Sequence, residues 1–160
     1  MNPTITINLA DIWDYTEIPH IMRNHMIAEY DYAFRRGNMI LKYGLSADNS
    51  RIYGERIYRQ AGNLPGWRKL LGGPSGSDMA DIAREFEQIH GLELNRNDVS
   101  IDIYQMPNAA ACAEFERKMI TDYIWANEGI APLGNKDFET LLEERKYRNS
   151  RMLSTIIEFI

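Results

Sequence analysis

A glutamate among apolar neighbours is the first residue of this chain that calls for chemistry. Over 109–126 the positions Cys112, Phe115, Met119, Ile120 and Tyr123 recur at helical spacing, and Glu116 falls among them. A carboxylate there must be paired, protonated or bound to a metal. Glu114 differs, because Arg117 and Lys118 follow it at three and four residues, the spacing of an exposed ion pair. Upstream the chain is locally basic, with Arg35, Arg36, Lys42, Arg51, Arg56, Arg59, Arg68 and Lys69, and it carries Tyr30 and Tyr32 just before Lys42. Phosphodiester hydrolysis needs an activated water and a neutralised phosphate. One carboxylate can hold one hard divalent cation, Mg²⁺ or Mn²⁺. An arginine can grip phosphate with its planar fork, and Arg51 and Arg56 both compete for that task. A tyrosine beside a cation can serve as general base if the charge lowers its pKa. Tyr32 is the leading base, Tyr30 the other candidate, and Lys42 the cation.

These residues must be held by particular elements. Tyr30, Tyr32 and Phe34 alternate with Asp31, Ala33 and Arg35, the period of a half-buried strand. Arg36-Gly37-Asn38 is turn chemistry, and Met39 to Leu45 is a second strand carrying Lys42. Tyr32 and Lys42 can share a face only if the connection holds an odd number of residues, such as Arg36-Gly37-Asn38. A two-residue turn would put Tyr32 on the face of Leu41. Residues 52–60 read as a helix bearing Arg56 and Gln60. Residues 77–90 read as another, with Ser77 as cap, Asp78 and Asp81 in its first turn and Gly91 at its end. Val99 to Met106 alternates and is a strand. Pro107 stops it, and Asn108 caps the helix of Glu116.

Taken in order, Tyr32, the triplet Lys42-Tyr43-Gly44, Arg56, Glu116-Arg117-Lys118-Met119-Ile120 and Pro132-Leu133-Gly134-Asn135 resemble the core of the GIY-YIG nucleases. The likeness is to the subset, including some Type II restriction endonucleases, with lysine in place of the second motif tyrosine. The resemblance implies an α+β fold: a small three-stranded antiparallel sheet flanked by helices, with N- and C-terminal additions. It implies one domain, 1–160, with a nuclease-like core over 28–135, an N-terminal arm over 1–27 and a C-terminal helical extension over 136–160. It favours Arg56 over Arg51, because Gln60 then takes the family's second helix position. It adds Asn135 to the site and makes Glu116 the ligand of Mg²⁺ or Mn²⁺. The implied substrate is double-stranded DNA, cut in a sequence-specific, restriction-like manner, and the implied assembly is a homodimer. No Gly-Ile-Tyr precedes Tyr32, and that departure keeps a second class open: a non-catalytic DNA- or protein-binding module on a degenerate nuclease scaffold.

The rest of the chain bounds these readings. At 160 residues and 44% hydrophobic content it can build one real core. A net charge of −5 speaks against a general nucleic-acid coat, yet local charge is what meets phosphate. Arg35, Arg36, Arg51, Arg59, Arg68 and Lys69 are the candidate DNA contacts. Trp67 is either an aromatic wedge for DNA or an anchor for its glycine-rich loop. The lone Cys112 excludes a disulfide framework, and the start shows no signal peptide, so a cytoplasmic protein is expected. His20 and His25 are five apart, off the helical metal-ligand spacing, and read as ordinary side chains. Residues 4–9 alternate as an edge strand would. Residues 137–146 read as an amphipathic helix, and the apolar 152–160 as an interface between two copies.

Overall fold

A computed structural model describes residues 1–47, 53–68 and 78–136. The chain is α+β, built on a four-stranded antiparallel sheet with strand order β1-β4-β2-β3. The strands are β1 (Ile5–Asn8), β2 (Tyr30–Arg36), β3 (Met39–Ser46) and β4 (Val99–Gln105), and among the described residues four α-helices accompany them: α1 (Ile18–Asn24), α2 (Glu55–Ala61), α3 (Asp78–His90) and α4 (Ala109–Ala126). The resemblance implied three strands, and the separate reading of residues 4–9 as an edge strand holds. The fourth is the alternating segment near the N-terminus, whose Ile5 and Ile7 pair with Ile103 and Ile101 of β4. Residues 1–27 therefore add to the sheet and to its core, where Leu9, Ile18, Met22 and Ile27 are fully buried.

The two faces of the sheet differ. Tyr30, Tyr32 and Phe34 of β2 share one face with Ile7, Ile101 and Ile103, and Ile57, Met79 and Phe86 from α2 and α3 join them in one apolar core. The opposite face carries Asp31, Ala33 and Arg35 beside Tyr43, Asp102 and Tyr104. Helix α4 lies over part of it, with Tyr123 edge-on to Tyr43 and Phe115 tilted against Tyr104. Asn108 caps that helix by accepting the Ala111 N–H at 2.8 Å.

The hairpin settles the parity question in an unexpected way. Its turn has two residues, Gly37 and Asn38, with Gly37 at φ 58°. Such a turn alone would place Tyr32 and Lys42 on opposite faces. A β-bulge intervenes: Phe34 pairs with Lys42 while Arg35 pairs with Ile40, so Leu41 is an extra residue in β3. Leu41 is fully buried, and Lys42 returns to the tyrosine face. Among the described residues no helix is long and apolar enough to cross a membrane.

Candidate active site

Lys42 stands on β3, at the edge of the sheet, and three contacts fix it. Its ammonium donates to Gln60 Oε1 at 3.1 Å and to Asp78 Oδ2 at 3.1 Å. Its stem passes under Gly134, where a Cβ would overlap Lys42 Cβ and Cγ. Gln60, on the last turn of α2, then donates from Nε2 to the Tyr32 hydroxyl at 2.8 Å. Ammonium, amide and phenol thus form one chain across β3, α2 and β2. Gly44 lies opposite Tyr32, and any Cβ there would overlap the phenol, so the glycine of Lys42-Tyr43-Gly44 is the floor on which that ring rests.

Arg56 sits one turn before Gln60, on an exposed position of α2. Its charge acts on Tyr30, Tyr32 and Glu116. Glu116 is half-buried on α4, whereas Glu114 is exposed, as their helical neighbours require. Burial raises the Glu116 carboxyl, while Lys42 and Arg56 pull it back down. Tyr32, Lys42, Arg56, Gln60 and Glu116, drawn from four elements, therefore lie within electrostatic reach of one another.

Two expectations need correction. Lys42 was to depress the pKa of Tyr32. Burial instead raises it well above the ordinary phenol value, with Gln60 and Arg56 opposing only in part, and Lys42 reaches the phenol through Gln60 rather than directly. Tyr30 is likewise pushed up to about 12 by burial. Both rings are closed off, at 0% and 1% exposure, and that burial disfavours the phenolate form in each. Asn135 was to join the site. Its amide is spent on β3 instead: Oδ1 accepts the Tyr43 N–H at 2.8 Å and Nδ2 donates to the Tyr43 carbonyl at 3.0 Å. It satisfies an edge strand as a neighbouring strand would, and positions Lys42 through the adjacent backbone.

The candidate DNA contacts scatter. Arg35 forks onto Asp102, at 2.8 Å from Nε and 3.3 Å from Nη2, and its charge is used there. Arg36 lies over the Phe86 ring, and Arg59 pairs with Glu55 along α2. Trp67 is the anchor rather than the wedge: its Nε1 donates to the Ala61 carbonyl at 2.8 Å, Tyr15 meets it edge-on and Arg96 stacks above it. Arg68 is exposed and covers the exposed Trp13, 3.7 Å from its ring centre. Arg51 and Lys69, like Ser77 and the C-terminal segments over 137–160, lie outside the described residues. His20 and His25 are exposed, and among the described residues no three His, Cys, Asp or Glu side chains form a metal cage.

Sequence reasoning missed three groups. Asp78 is the acidic partner of Lys42, though it had been assigned only to the first turn of its helix. Arg96 is buried and donates to the Leu9 and Ile12 carbonyls at 2.6 and 2.8 Å, tying the N-terminal segment to the loop of Trp67. Asp31 is fully buried, and among the described residues neither of its carboxylate oxygens has a hydrogen-bond partner. The signal for Asp31 was its place between two tyrosines on an interior strand, on the face that α4 covers. No family model, curated protein or solved structure matches this chain.

Proposed function

We propose that this protein is a metal-dependent endonuclease of the GIY-YIG type, hydrolysing phosphodiester bonds of double-stranded DNA in a restriction-like manner. The observation that carries the reading is the convergence of Lys42, Gln60 and Tyr32 in one hydrogen-bonded chain, with Arg56 and Glu116 in electrostatic reach. The element order supports it as well: a hairpin, helices, a strand beside the first hairpin strand, and the helix of the glutamate.

In this reading Arg56 grips the phosphate, since it is exposed and its guanidinium is always charged. Lys42 holds a fixed positive charge near the reacting group, oriented by Gln60 and Asp78. Tyr32 keeps its proton and, with Gln60, fixes the direction of that ammonium. Glu116 is a half-buried oxygen donor of the kind Mg²⁺ and Mn²⁺ prefer, and such a cation would supply charge neutralisation at the scissile phosphate. A cytoplasmic homodimer, one site per strand of a palindromic target, goes with the reading.

Closure of Tyr30 and Tyr32 favours a second reading, a DNA- or protein-binding module on the same scaffold without catalysis. Incubation of unmethylated phage DNA with Mg²⁺, and separately with Mn²⁺, decides between them. Discrete fragments from the wild type, with a rate lower by about 10²-fold or more for Glu116→Gln, support the nuclease; that is the size expected when a group stabilising developing charge is lost. DNA retention in a gel without cleavage in either metal would support the second reading and sink the first.

A further inference from the structure

We propose that Asp31 and Glu116 together form the divalent-cation site, Asp31 supplying the second carboxylate. The inference deepens the nuclease reading and rests on Glu116 as the metal carboxylate.

Asp31 belongs to β2, an interior strand, and stands opposite Leu45 of β3 and Tyr104 of β4. It points to the side of the sheet that α4 covers, away from Tyr30 and Tyr32. Its exposure is 0%, and both oxygens are closed to solvent without a hydrogen bond from any described residue. A buried polar atom without a partner costs free energy, and a carboxylate with two such atoms is among the most costly. An interior strand holds such a group only when something else satisfies it.

The surroundings define what that is. From α4, Cys112 and Glu116 face it one turn apart, and after burial it is the charges of Asp31, Glu29 and Glu116 that act on the Cys112 thiol. Glu116 is the charged group that acts on Asp31, and among the described residues no cation counters it. Glu116, by contrast, feels Lys42 and Arg56. Glu116 is thus the link between Asp31 and the cationic cluster, and the place that lacks positive charge is beside Asp31. Two carboxylates without imidazole suit a hard, oxygen-seeking ion that keeps several of its waters, as Mg²⁺ does.

The test is metal binding by the full chain, without DNA. Mn²⁺ is titrated at pH 7.5 and free ion is read by electron paramagnetic resonance, for wild type, Asp31→Asn, Asp31→Leu and Glu116→Gln. The expected result is one bound Mn²⁺ in the wild type and an affinity at least about tenfold lower in each variant, the scale on which ligand-sphere changes act. Melting in EDTA confirms that each variant is folded. If Asp31→Asn does not fold, Asp31→Leu decides, because it places an apolar side chain of similar size in a buried position. Wild-type affinity in a folded Asp31 variant would overturn the inference, and loss confined to Glu116→Gln would do so while leaving the nuclease reading intact. Mn²⁺ held through both carboxylates by a chain that cuts no DNA would support the site and count against the nuclease.

Discussion

Asp31 and Asp102 share one face of the sheet, on adjacent strands, and both are buried, yet their surroundings are opposite. Asp102 accepts two bonds from Arg35, at 2.8 and 3.3 Å, and a third from Thr6 Oγ1 at 2.7 Å. Asp31 accepts none. Asp102 lies on β4 between β1 and β2, and Thr6 and Arg35 reach it from those two strands. Asp31 lies under α4, beside Cys112 and Glu116. A buried carboxylate with its bonds complete belongs to the architecture. One with none marks where the architecture stops and a ligand is wanted.

Replacement of Asp31 by leucine should give the largest effect, and it should depend on pH. Without a bound cation, burial and then the Glu116 charge push the Asp31 carboxyl up to about 7, against an ordinary 3.8. The folded state therefore binds the proton more tightly than the unfolded one. Below the unfolded value the acid is neutral in both states and costs nothing through charge. As pH rises from about 4 to 7 the unfolded state ionises first, and stability falls through that window. The span of roughly three units is worth on the order of 4 kcal/mol. In EDTA, Asp31→Leu should thus gain stability over the wild type from pH 5 to pH 8, approaching that figure at pH 8. Denaturant melts across the range measure it. A constant difference between the two proteins would mean that Asp31 has a partner after all.

The reverse sign is expected at Asp102. Asp102→Leu strips Arg35 of its carboxylate and Thr6 of its acceptor. The Asp102 side chain is only 12% exposed, while Arg35 at 29% can turn partly to water. The loss should be about 2 to 3 kcal/mol, below the full cost of breaking a deeply buried pair. Urea midpoints at pH 7 check it. If both aspartate variants move stability in the same direction, the contrast between them fails.

That contrast shows what the residues announce before the fold is known. Helical periodicity separated Glu116 from Glu114, because the helix that bears them is long and its apolar positions are unambiguous. The limits of α4 and the cap at Asn108 follow from the same local signals. Strand alternation put Tyr30 and Tyr32 on one face and Asp31 on the other. It carried no mark that the other face is covered, since the covering helix begins far along the chain. The pairing of Ile5 with Ile103 is equally non-local, which is why the alternation near the N-terminus was visible and its place in the sheet was not. The bulge at Leu41 was hidden for another reason: Met39-Ile40-Leu41 is apolar throughout, so no polarity change shows where parity slips. Trp67 was ambiguous until Arg96 and Tyr15 stood around it. The raised pKa of Tyr32 follows from enclosure by α2 and α3, which no local spacing encodes.

The smallest expected effect lies at Gln60, on the satisfied side of the same comparison. Its amide donates to Tyr32 and accepts from Lys42, so both ends are used. Gln60→Leu leaves the buried phenol oxygen without its donor and leaves the Lys42 ammonium to its bond with Asp78. The cost should be about 1 to 2 kcal/mol, that of a buried polar group losing its bond. Gln60→Glu keeps an acceptor for Lys42 and lets the Tyr32 hydroxyl turn round to donate, so its cost should be smaller still. Thermal melts of the two variants, read beside the wild type, separate the cases. Equal losses would mean that packing at this position matters and the polar chain does not, and Lys42 would then owe its orientation to Asp78 and the stem contact at Gly134. A larger loss for leucine than for glutamate shows that the direction of the hydrogen bond is adjustable while its presence is required. Of the two, only that outcome lets Gln60 aim the ammonium of Lys42 at a substrate.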